Sequence, residues 1–382
     1  MKNATEILSD LVAIPSYVSK DSNEKLIVQY IERFLAPMKP KMTLTELAPE
    51  RSNLLVKFGD SETKLFFGCH LDTVPPWSVG KYKPFEPVVV GNLLYGLGAV
   101  DMKGGIAALL YSLSQTEVGK LDGLAILFDI DEEYDFMGMQ EFVKNQTLTF
   151  AEDALAIFTE PNLSICNAHR GLIELNFEVK GESAHASKAI SGNKDQGINA
   201  ILGATTAINE LRSSLVKFSH PELGQSSCNL AWLEGGSLVN GKIVNQGNRV
   251  PDIARFKLDI RPATPELDAE TIIQILTGKL ENQGLKVTNQ ATAFDFGALY
   301  TPPANLRPFA NIVKEIIGKE EYSQLGGYGE AEMFSRAFGV ASVYFGPGPG
   351  TMAHKADEYV KIDEVETAAR VYLKCVTQYC IK

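Results

Sequence analysis

Several features are missing from this chain of 382 residues, and each absence excludes a class of protein. No uninterrupted apolar segment approaches the roughly 20 residues that a membrane-spanning helix needs. Basic residues are outnumbered, with 36 Lys and Arg against 47 Asp and Glu, and the net charge of −11 would repel a phosphate backbone. We therefore expect neither a membrane nor a nucleic acid as a partner.

Cysteine is scarce, and its odd number and scattered positions argue against a disulfide framework. The five are Cys69, Cys166, Cys228, Cys375 and Cys380. The first residues, MKNATEILSDLVAIPS, include acidic side chains where a signal peptide needs an apolar centre. Both observations predict a cytoplasmic protein with reduced thiols.

Three common catalytic and nucleotide-binding motifs are also missing. The chain has no GxSxG nucleophile elbow, no GxxxxGK[ST] phosphate loop and no GxGxxG turn opening a helix. A serine hydrolase, a P-loop nucleotide hydrolase and a dinucleotide-dependent enzyme are therefore poor explanations of this sequence.

What is present predicts an α/β fold. Hydrophobic residues make up 45% and charged residues 22% of the chain, which is ordinary for a globular protein, and the length predicts two domains. Short apolar runs alternate with segments of helical spacing, a pattern typical of a mostly parallel sheet. The runs are 53–58, 64–69, 124–130 and 154–159. In such a sheet, ligands bind beyond the carboxyl ends of the strands.

The pattern changes near Gly171 and returns after Pro302-Pro303. Residues 172–180 alternate between polar and apolar side chains, and the segments that follow predict a β-α-β-β-α-β order. We therefore predict a discontinuous first domain made of residues 1–171 and 292–382. Residues 172–291 would form a second domain inserted into it.

Histidines and carboxylates follow successive apolar runs, which predicts that they meet at one edge of the sheet. In chain order they are His70, Asp72, Asp101, Glu132, Glu133, Glu160 and His354. Each has a simpler explanation when taken singly: a core or surface histidine, a helix N-cap, or a solvated acidic loop. Together, this mixed nitrogen and oxygen set suits two divalent metal ions, zinc first, with cobalt or manganese as alternatives.

Two neighbouring pairs suggest a division of labour within this set. His70 and Asp72 are two residues apart at a strand end, so their side chains share a face and Asp72 is placed to hold the imidazole. Glu132 and Glu133 are consecutive, so one can bind a metal ion while the other transfers protons.

In their order and spacing, these motifs resemble those of the dinuclear-zinc amidohydrolases and peptidases. That family includes acetylornithine deacetylase, succinyl-diaminopimelate desuccinylase and carboxypeptidase G. The resemblance covers nearly the whole chain, and the segments most similar to acetylornithine deacetylase are YGLGAVDMKG, Gly329-Glu330-Ala331 and GPGPGTMAHKADEYV. It implies a zinc-peptidase-like catalytic domain, with the inserted domain acting as a lid and as the dimerisation surface of a homodimer.

The resemblance also implies a role for each candidate at the metal site. His70 and Glu160 would bind one metal ion, Glu133 and His354 the other, and Asp101 would bridge both. Glu132 would be the general base and Asp72 would orient His70. The peptide bond between Asp101 and Met102 would be cis.

Three residues of the inserted domain gain roles from the same resemblance. His185 would stabilise the oxyanion in the active site of the neighbouring subunit, and Arg261 and Asn248 would hold a carboxylate of the substrate. From the residues alone, His185 and Arg261 are equally explained as surface side chains. Residues 237–246 are an insertion relative to the usual pattern, so Asn240 rivals Asn248. No role follows for His169 or His220.

The implied reaction is metal-dependent hydrolysis of the amide bond of a small N-acyl amino acid. Deacetylation of N-acetylornithine in arginine biosynthesis is the first expectation. Desuccinylation of succinyl-diaminopimelate and cleavage by a related exopeptidase or aminoacylase are alternatives. Outside the enzymes, the alternatives are an inactive relative that binds a small molecule and an acidic structural domain without metal. Retention of Glu132 argues against the binding protein, since binding alone needs no base.

Overall fold

A computed structural model describes residues 2–20, 22–189 and 195–381 of the chain. The chain divides into two compact units, the first made of Met1–Asn167, Tyr300–Gln324 and Gly329–Lys382. The second is made of Ala168–Leu299 and Leu325–Tyr328. The insertion predicted from the sequence, 172–291, includes residues 190–194, which lie outside the described residues. Its assignment as a lid and dimerisation domain stays a prediction.

The helices of the described residues are α1 (Ala4–Val12), α2 (Lys25–Leu35), α3 (Lys103–Ser114), α4 (Met137–Asn145), α5 (Ala200–Ser214), α6 (Ala269–Asn282), α7 (Arg307–Ile317), α8 (Glu330–Phe338) and α9 (Ile362–Cys380). The strands are β1 (Lys41–Ala48), β2 (Arg51–Phe58), β3 (Thr63–His70), β4 (Val88–Val90), β5 (Leu93–Tyr95), β6 (Leu124–Asp129), β7 (Phe150–Phe158), β8 (Asn162–His169), β9 (Leu172–Lys180), β10 (Ser219–His220), β11 (Gly224–Gln225), β12 (Ser227–Val239), β13 (Lys242–Val244), β14 (Ile253–Arg261), β15 (Lys286–Phe296), β16 (Leu299–Tyr300), β17 (Tyr322–Gln324), β18 (Ala341–Gly346) and β19 (Tyr359–Lys361).

The first unit is built on a sheet with the strand order β1-β2-β6-β3-β7-β18-β8. Its four central strands, β6, β3, β7 and β18, are parallel. Strands β1, β2 and β8 pair antiparallel at the two sides. The central strands are buried on both faces, as β6 is along its whole length, which explains their uninterrupted apolar runs. The predicted α/β class with a mostly parallel sheet is confirmed.

Helix α3 lies in the core of this unit and packs against α1 and α9. Apart from Tyr111 and Ser114, its residues are buried, so the helix has no polar face. Gly105 lets it approach β7 closely, because a Cβ at this position would overlap the carbonyl oxygen of Thr159. This tight packing fixes the start of α3, two residues after Asp101.

The second unit contains an antiparallel sheet with the order β13-β12-β14-β9-β15. The predicted order appears as β9-α5-β12-β14-α6-β15. The buried residues of α5 and α6 pack against one face of this sheet, so β9 alternates between buried and half-buried side chains. Residues 237–246, predicted to be an insertion, contain the end of β12 and all of β13, which pair as a hairpin. Asn240 and Gly241, with φ of 51° and 76°, form its turn.

All five cysteines are buried and none forms a disulfide bond. Among the described residues, no helix combines the length and the apolar character that crossing a lipid bilayer requires.

Candidate metal centre

The parallel strands of the first unit bring the predicted donors to one edge. His70 is the last residue of β3, the Glu132-Glu133 pair follows β6, Glu160 follows β7 and His354 lies in the loop after β18. Asp101 lies just before α3. Because parallel strands end at the same edge of their sheet, side chains far apart in the sequence converge there.

The first group of donors consists of His70, Asp101 and Glu160. Nε2 of His70 lies 3.2 Å from Oδ1 of Asp101 and 3.4 Å from Oε1 of Glu160. The His70 side chain is only 1% exposed. One nitrogen of a buried histidine and two oxygens of half-buried carboxylates therefore face one another.

The second group consists of Asp101, Glu133 and His354. Nε2 of His354 lies 3.4 Å from Oδ2 of Asp101 and 2.9 Å from Oε2 of Glu133. Asp101 thus directs one carboxylate oxygen toward each histidine, as a bridging ligand must. The His354 side chain is 52% exposed, so the two groups differ in their access to solvent.

Glu132 completes the cluster, since its carboxylate lies within 4.8 Å of donor atoms of His70 and Glu133. Burial raises the pKa of Glu132 well above its usual range. Burial and then the charge of Asp101 raise the pKa of Glu160 to about 8. Acids in such a position need a compensating positive charge to ionise, and divalent cations supply it.

The residues therefore fit a pair of divalent ions. Two nitrogen and oxygen donor sets share Asp101, and the donor types are those that zinc and similar ions prefer. The peptide bond between Asp101 and Met102 is cis, as the resemblance implies.

Asp72 makes contacts of two kinds at this site. Its backbone carbonyl oxygen lies 3.1 Å from Nδ1 of His70, while its Oδ1 lies 3.8 Å from the same nitrogen. Its carboxylate accepts the backbone N–H groups of Glu132 and Glu133, at 3.1 and 3.0 Å. The closest contact to His70 is thus made by the main chain, and the side chain fixes the Glu132-Glu133 loop.

Arg51 supports the same loop and was not predicted from the sequence. Its guanidinium binds Glu24, with Nη2 at 2.6 Å from Oε1, and also Asp131, with Nη2 at 2.7 Å from Oδ1. Asp131 immediately precedes Glu132 and has a positive φ of 75°, so the chain is held in an uncommon conformation there. No local pattern signals this contact, because 80 residues of chain separate Arg51 from Asp131.

In the second unit, His185 is exposed, and Nδ1 of its ring contacts Ser187. Nδ1 accepts the backbone N–H of Ser187 at 3.2 Å and lies 2.8 Å from the Ser187 hydroxyl oxygen. Because Nδ1 is an acceptor, the proton of the neutral ring is on Nε2. An N–H donor at Nε2 is the group that an oxyanion requires.

The two predicted carboxylate-binding residues have different surroundings within the second unit. The backbone carbonyl of Asn248 accepts the N–H of Ala186 at 2.9 Å, which places Asn248 next to His185. Arg261, at the end of β14, instead pairs with Asp259 through Nε–Oδ1 and Nη2–Oδ2 distances of 2.8 and 3.0 Å. Asn240, the rival of Asn248, occupies the hairpin turn.

An α/β unit that gathers two histidines and several carboxylates beyond the ends of parallel strands is the arrangement of a metal-dependent hydrolase. Residues 66–378 match Peptidase family M20/M25/M40, and the chain belongs to this peptidase family.

Relatives and solved structures agree over the full length of the chain. The acetylornithine deacetylase of Vibrio cholerae serotype O1 is 26% identical over 394 residues, covering 98% of each chain. That of Pasteurella multocida is 26% identical over 400 residues, covering 98% of this chain and 97% of the relative. An M20 family metallo-carboxypeptidase from Sulfolobus solfataricus superposes with a TM-score of 0.73 at 17% identity, covering 99% of each chain. A dinuclear metal binding peptidase from Bacillus subtilis gives 0.67 at 13% identity, covering 98% of this chain and 96% of the other.

Proposed function

We propose that this chain hydrolyses the amide bond of a small N-acyl amino acid, with N-acetylornithine as the substrate and arginine biosynthesis as the context. Two divalent ions, zinc first, would be held by the donor sets that share Asp101. The observation that carries the proposal is the position of the Asp101 carboxylate between His70 and His354, with Glu132 beside them. The curated relatives named acetylornithine deacetylase support this choice of substrate.

In this proposal each side chain has a distinct task. When bound, the metal ions supply Lewis acidity toward the acyl carbonyl and lower the pKa of water. A carboxylate oxygen of Glu132 takes a proton from the attacking water and returns it to the departing amine. Asp72 keeps Glu132 in place through the backbone N–H of that residue.

The second unit would supply recognition of the substrate and stabilisation of the transition state. Nε2–H of His185 would donate to the oxyanion that forms at the acyl carbon of a substrate bound to the partner subunit. Arg261 would bind the substrate carboxylate through its guanidinium, with Asn248 as a further donor. A homodimer formed through this unit follows from the role of His185, and a cytoplasmic location completes the proposal.

A substrate panel tests the reaction. The purified full chain is assayed, with and without added zinc, cobalt or manganese, against N-acetylornithine, N-succinyl-diaminopimelate, other N-acyl amino acids and dipeptides. We expect the highest kcat/KM for N-acetylornithine and metal contents approaching two equivalents. A preference for the succinylated substrate or for dipeptides would refute the substrate assignment, whereas a fully active protein free of metal would refute the metal site.

Two variants test the assignment of the base. Glu132→Gln should retain the metal content of the wild type and lower kcat by about 10²–10⁴-fold. Glu117→Gln makes the same chemical change at an exposed position and serves as the control. Wild-type turnover in Glu132→Gln would remove this role.

Mixing two inactive variants tests whether His185 acts across the dimer. Glu132→Gln and His185→Ala are each expected to be nearly inactive. If His185 serves the partner's site, a mixed dimer contains one site without either substitution, so an equal mixture should regain up to about a quarter of wild-type turnover. No recovery, despite mixed dimers demonstrated by differential tagging, would place His185 in its own subunit's site or outside catalysis.

A further inference from the structure

Glu358 has a buried carboxylate that belongs to neither donor set, and it is only 1% exposed. Its Oε1 accepts the backbone N–H groups of Val100 and Asp101 at 2.9 and 3.2 Å. Its Oε2 accepts the N–H of Gly98 at 3.0 Å. The backbone carbonyl of Glu358 accepts a fourth, from Gly96 at 3.0 Å. One residue therefore accepts four of the backbone N–H groups between Gly96 and Asp101.

The conformation of this turn explains why it needs an external acceptor. Gly96 and Gly98 have φ of 154° and 77°, values that side-chain-bearing residues avoid. Several N–H groups consequently point to one side of the chain and form a concave site for an anion. A buried N–H group without an acceptor is destabilising, so the three amides bound by the carboxylate depend on Glu358.

A second buried side chain holds the turn from another direction. Lys103 is 1% exposed, and its Nζ donates to the backbone carbonyl of Ile14 at 2.8 Å. Its aliphatic part passes beneath Gly98, where a Cβ would lie 3.1 Å from Cδ of Lys103. The turn is thus held between the side chains of Glu358 and Lys103.

Glu358 also lies on the same short segment as His354. This segment has two residues with positive φ, His354 at 61° and Asp357 at 58°. Asp357 accepts the N–H groups of Lys81 and Tyr82, so the segment is tied to a second loop. Asp101 donates its N–H to Glu358, and a short segment of chain joins Glu358 to His354. These two links therefore set the position of Asp101 relative to His354.

We infer that Glu358 is a positioning residue that holds Asp101 between the two histidines before any metal ion binds. The inference rests on the proposed function in one respect, namely that Asp101 bridges two ions. It adds that the bridge is preformed, and it assigns this task to a residue that touches neither metal nor substrate. Outer partners of metal ligands commonly contribute 10–100-fold to metal affinity.

Glu358→Gln tests the inference with little change in shape. The glutamine side chain retains one acceptor oxygen, but its NH₂ group would face at least one backbone N–H. At least one of the hydrogen bonds to the turn must therefore break. We expect about 10–100-fold weaker binding of at least one metal equivalent, measured by titrating the metal-free full chain with Zn²⁺. KM at saturating metal should remain that of the wild type. Glu366→Gln, an exposed change nearby, is the control and should bind as the wild type does.

Wild-type metal affinity for both equivalents in Glu358→Gln would overturn the inference. A wild-type chain that binds no metal would instead refute the proposed function. A second experiment uses only the wild-type chain and therefore does not depend on the folding of the variant. Amide hydrogen exchange across residues 96–101 is followed in the metal-free and metal-loaded forms. Slow exchange at Gly98, Val100 and Asp101 without metal supports a preformed turn, and protection that arises only with metal contradicts it.

Discussion

Removing the positive charge of Arg51 should destabilise the first unit strongly. In Arg51→Met, the side chain keeps its approximate volume but loses its contacts to Glu24 and Asp131. The side chains of Arg51, Glu24 and Asp131 are 14%, 0% and 8% exposed, so neither carboxylate can turn to water without local rearrangement. Removing one partner of a buried ion pair costs about 3–5 kcal/mol, because the other charge stays buried and unpaired.

This cost converts into a measurable change in thermal stability. In a unit of this size, each kcal/mol lowers the midpoint of unfolding by about 2–4 °C, so we expect a decrease of about 6–20 °C. Calorimetry of the metal-free chain measures it. Lys57→Met, on the same strand, removes an equal charge from a residue with no ion pair among the described residues, and should shift the midpoint by much less.

A double variant separates the lost pair from general damage. In Glu24→Gln combined with Arg51→Met, the fully buried carboxylate is replaced by a neutral amide, so part of the lost stability should return. A midpoint for Arg51→Met close to that of Lys57→Met would refute the assignment. A double variant no more stable than Arg51→Met would refute it as well.

Three further predictions follow from the fold and the site. Gly105→Ala should destabilise the chain, because the new Cβ overlaps the Thr159 carbonyl oxygen. Gly278→Ala, in open space within a helix, should instead stabilise it by up to about 1 kcal/mol. Thermal unfolding compares the two variants, and equal shifts in the midpoint would contradict the packing described for α3. Asp72→Asn leaves one acceptor oxygen for the two backbone N–H groups of the Glu132-Glu133 loop. We expect kcat to fall by about 10-fold or more while KM changes little. An unchanged kcat would show that the loop keeps its conformation without the Asp72 carboxylate. Burial lowers the pKa of His169 to about 4, so between pH 6.5 and 4 the unfolded chain binds a proton there while the folded chain does not. The free energy of unfolding therefore decreases as pH falls through this range. Denaturant titrations at pH 7 and 4.5 should show a smaller decrease for His169→Gln than for the wild type.

The parallel core could be predicted because burial on both faces leaves a continuous apolar run in the sequence. The run at 124–130 corresponds to β6, Leu124–Asp129, and every residue of that strand is buried. Strand β1 was not predicted. It lies at the edge of the sheet with mostly exposed side chains, and the alternation of polar and apolar residues over 41–45 was the signal that could have identified it. The short strands β4 and β5 were missed because three residues are too few to show a pattern.

The same reasoning explains which parts of the site were anticipated. The proposed ligands other than Asp101 were recognisable because each follows an apolar run, and Asp101 because it follows a glycine turn before a helix. The structure brings them together, although their roles stay a prediction. Arg51 and Glu358 were not recognisable. Their contacts join residues 80 and 257 positions apart, and a charged residue at the start of a strand gives no sign of what it will meet across the fold.

The difference in solvent exposure between the two histidines has a consequence for the order in which the centre would lose its ions. The imidazole of His70 is inaccessible to bulk water, whereas about half of the His354 side chain is exposed to it. Water, protons and small chelators would reach the outer ion directly but would have to wait for local opening to reach the inner one. Depletion would then proceed in order, through a species that retains only the ion beside His70 and Glu160.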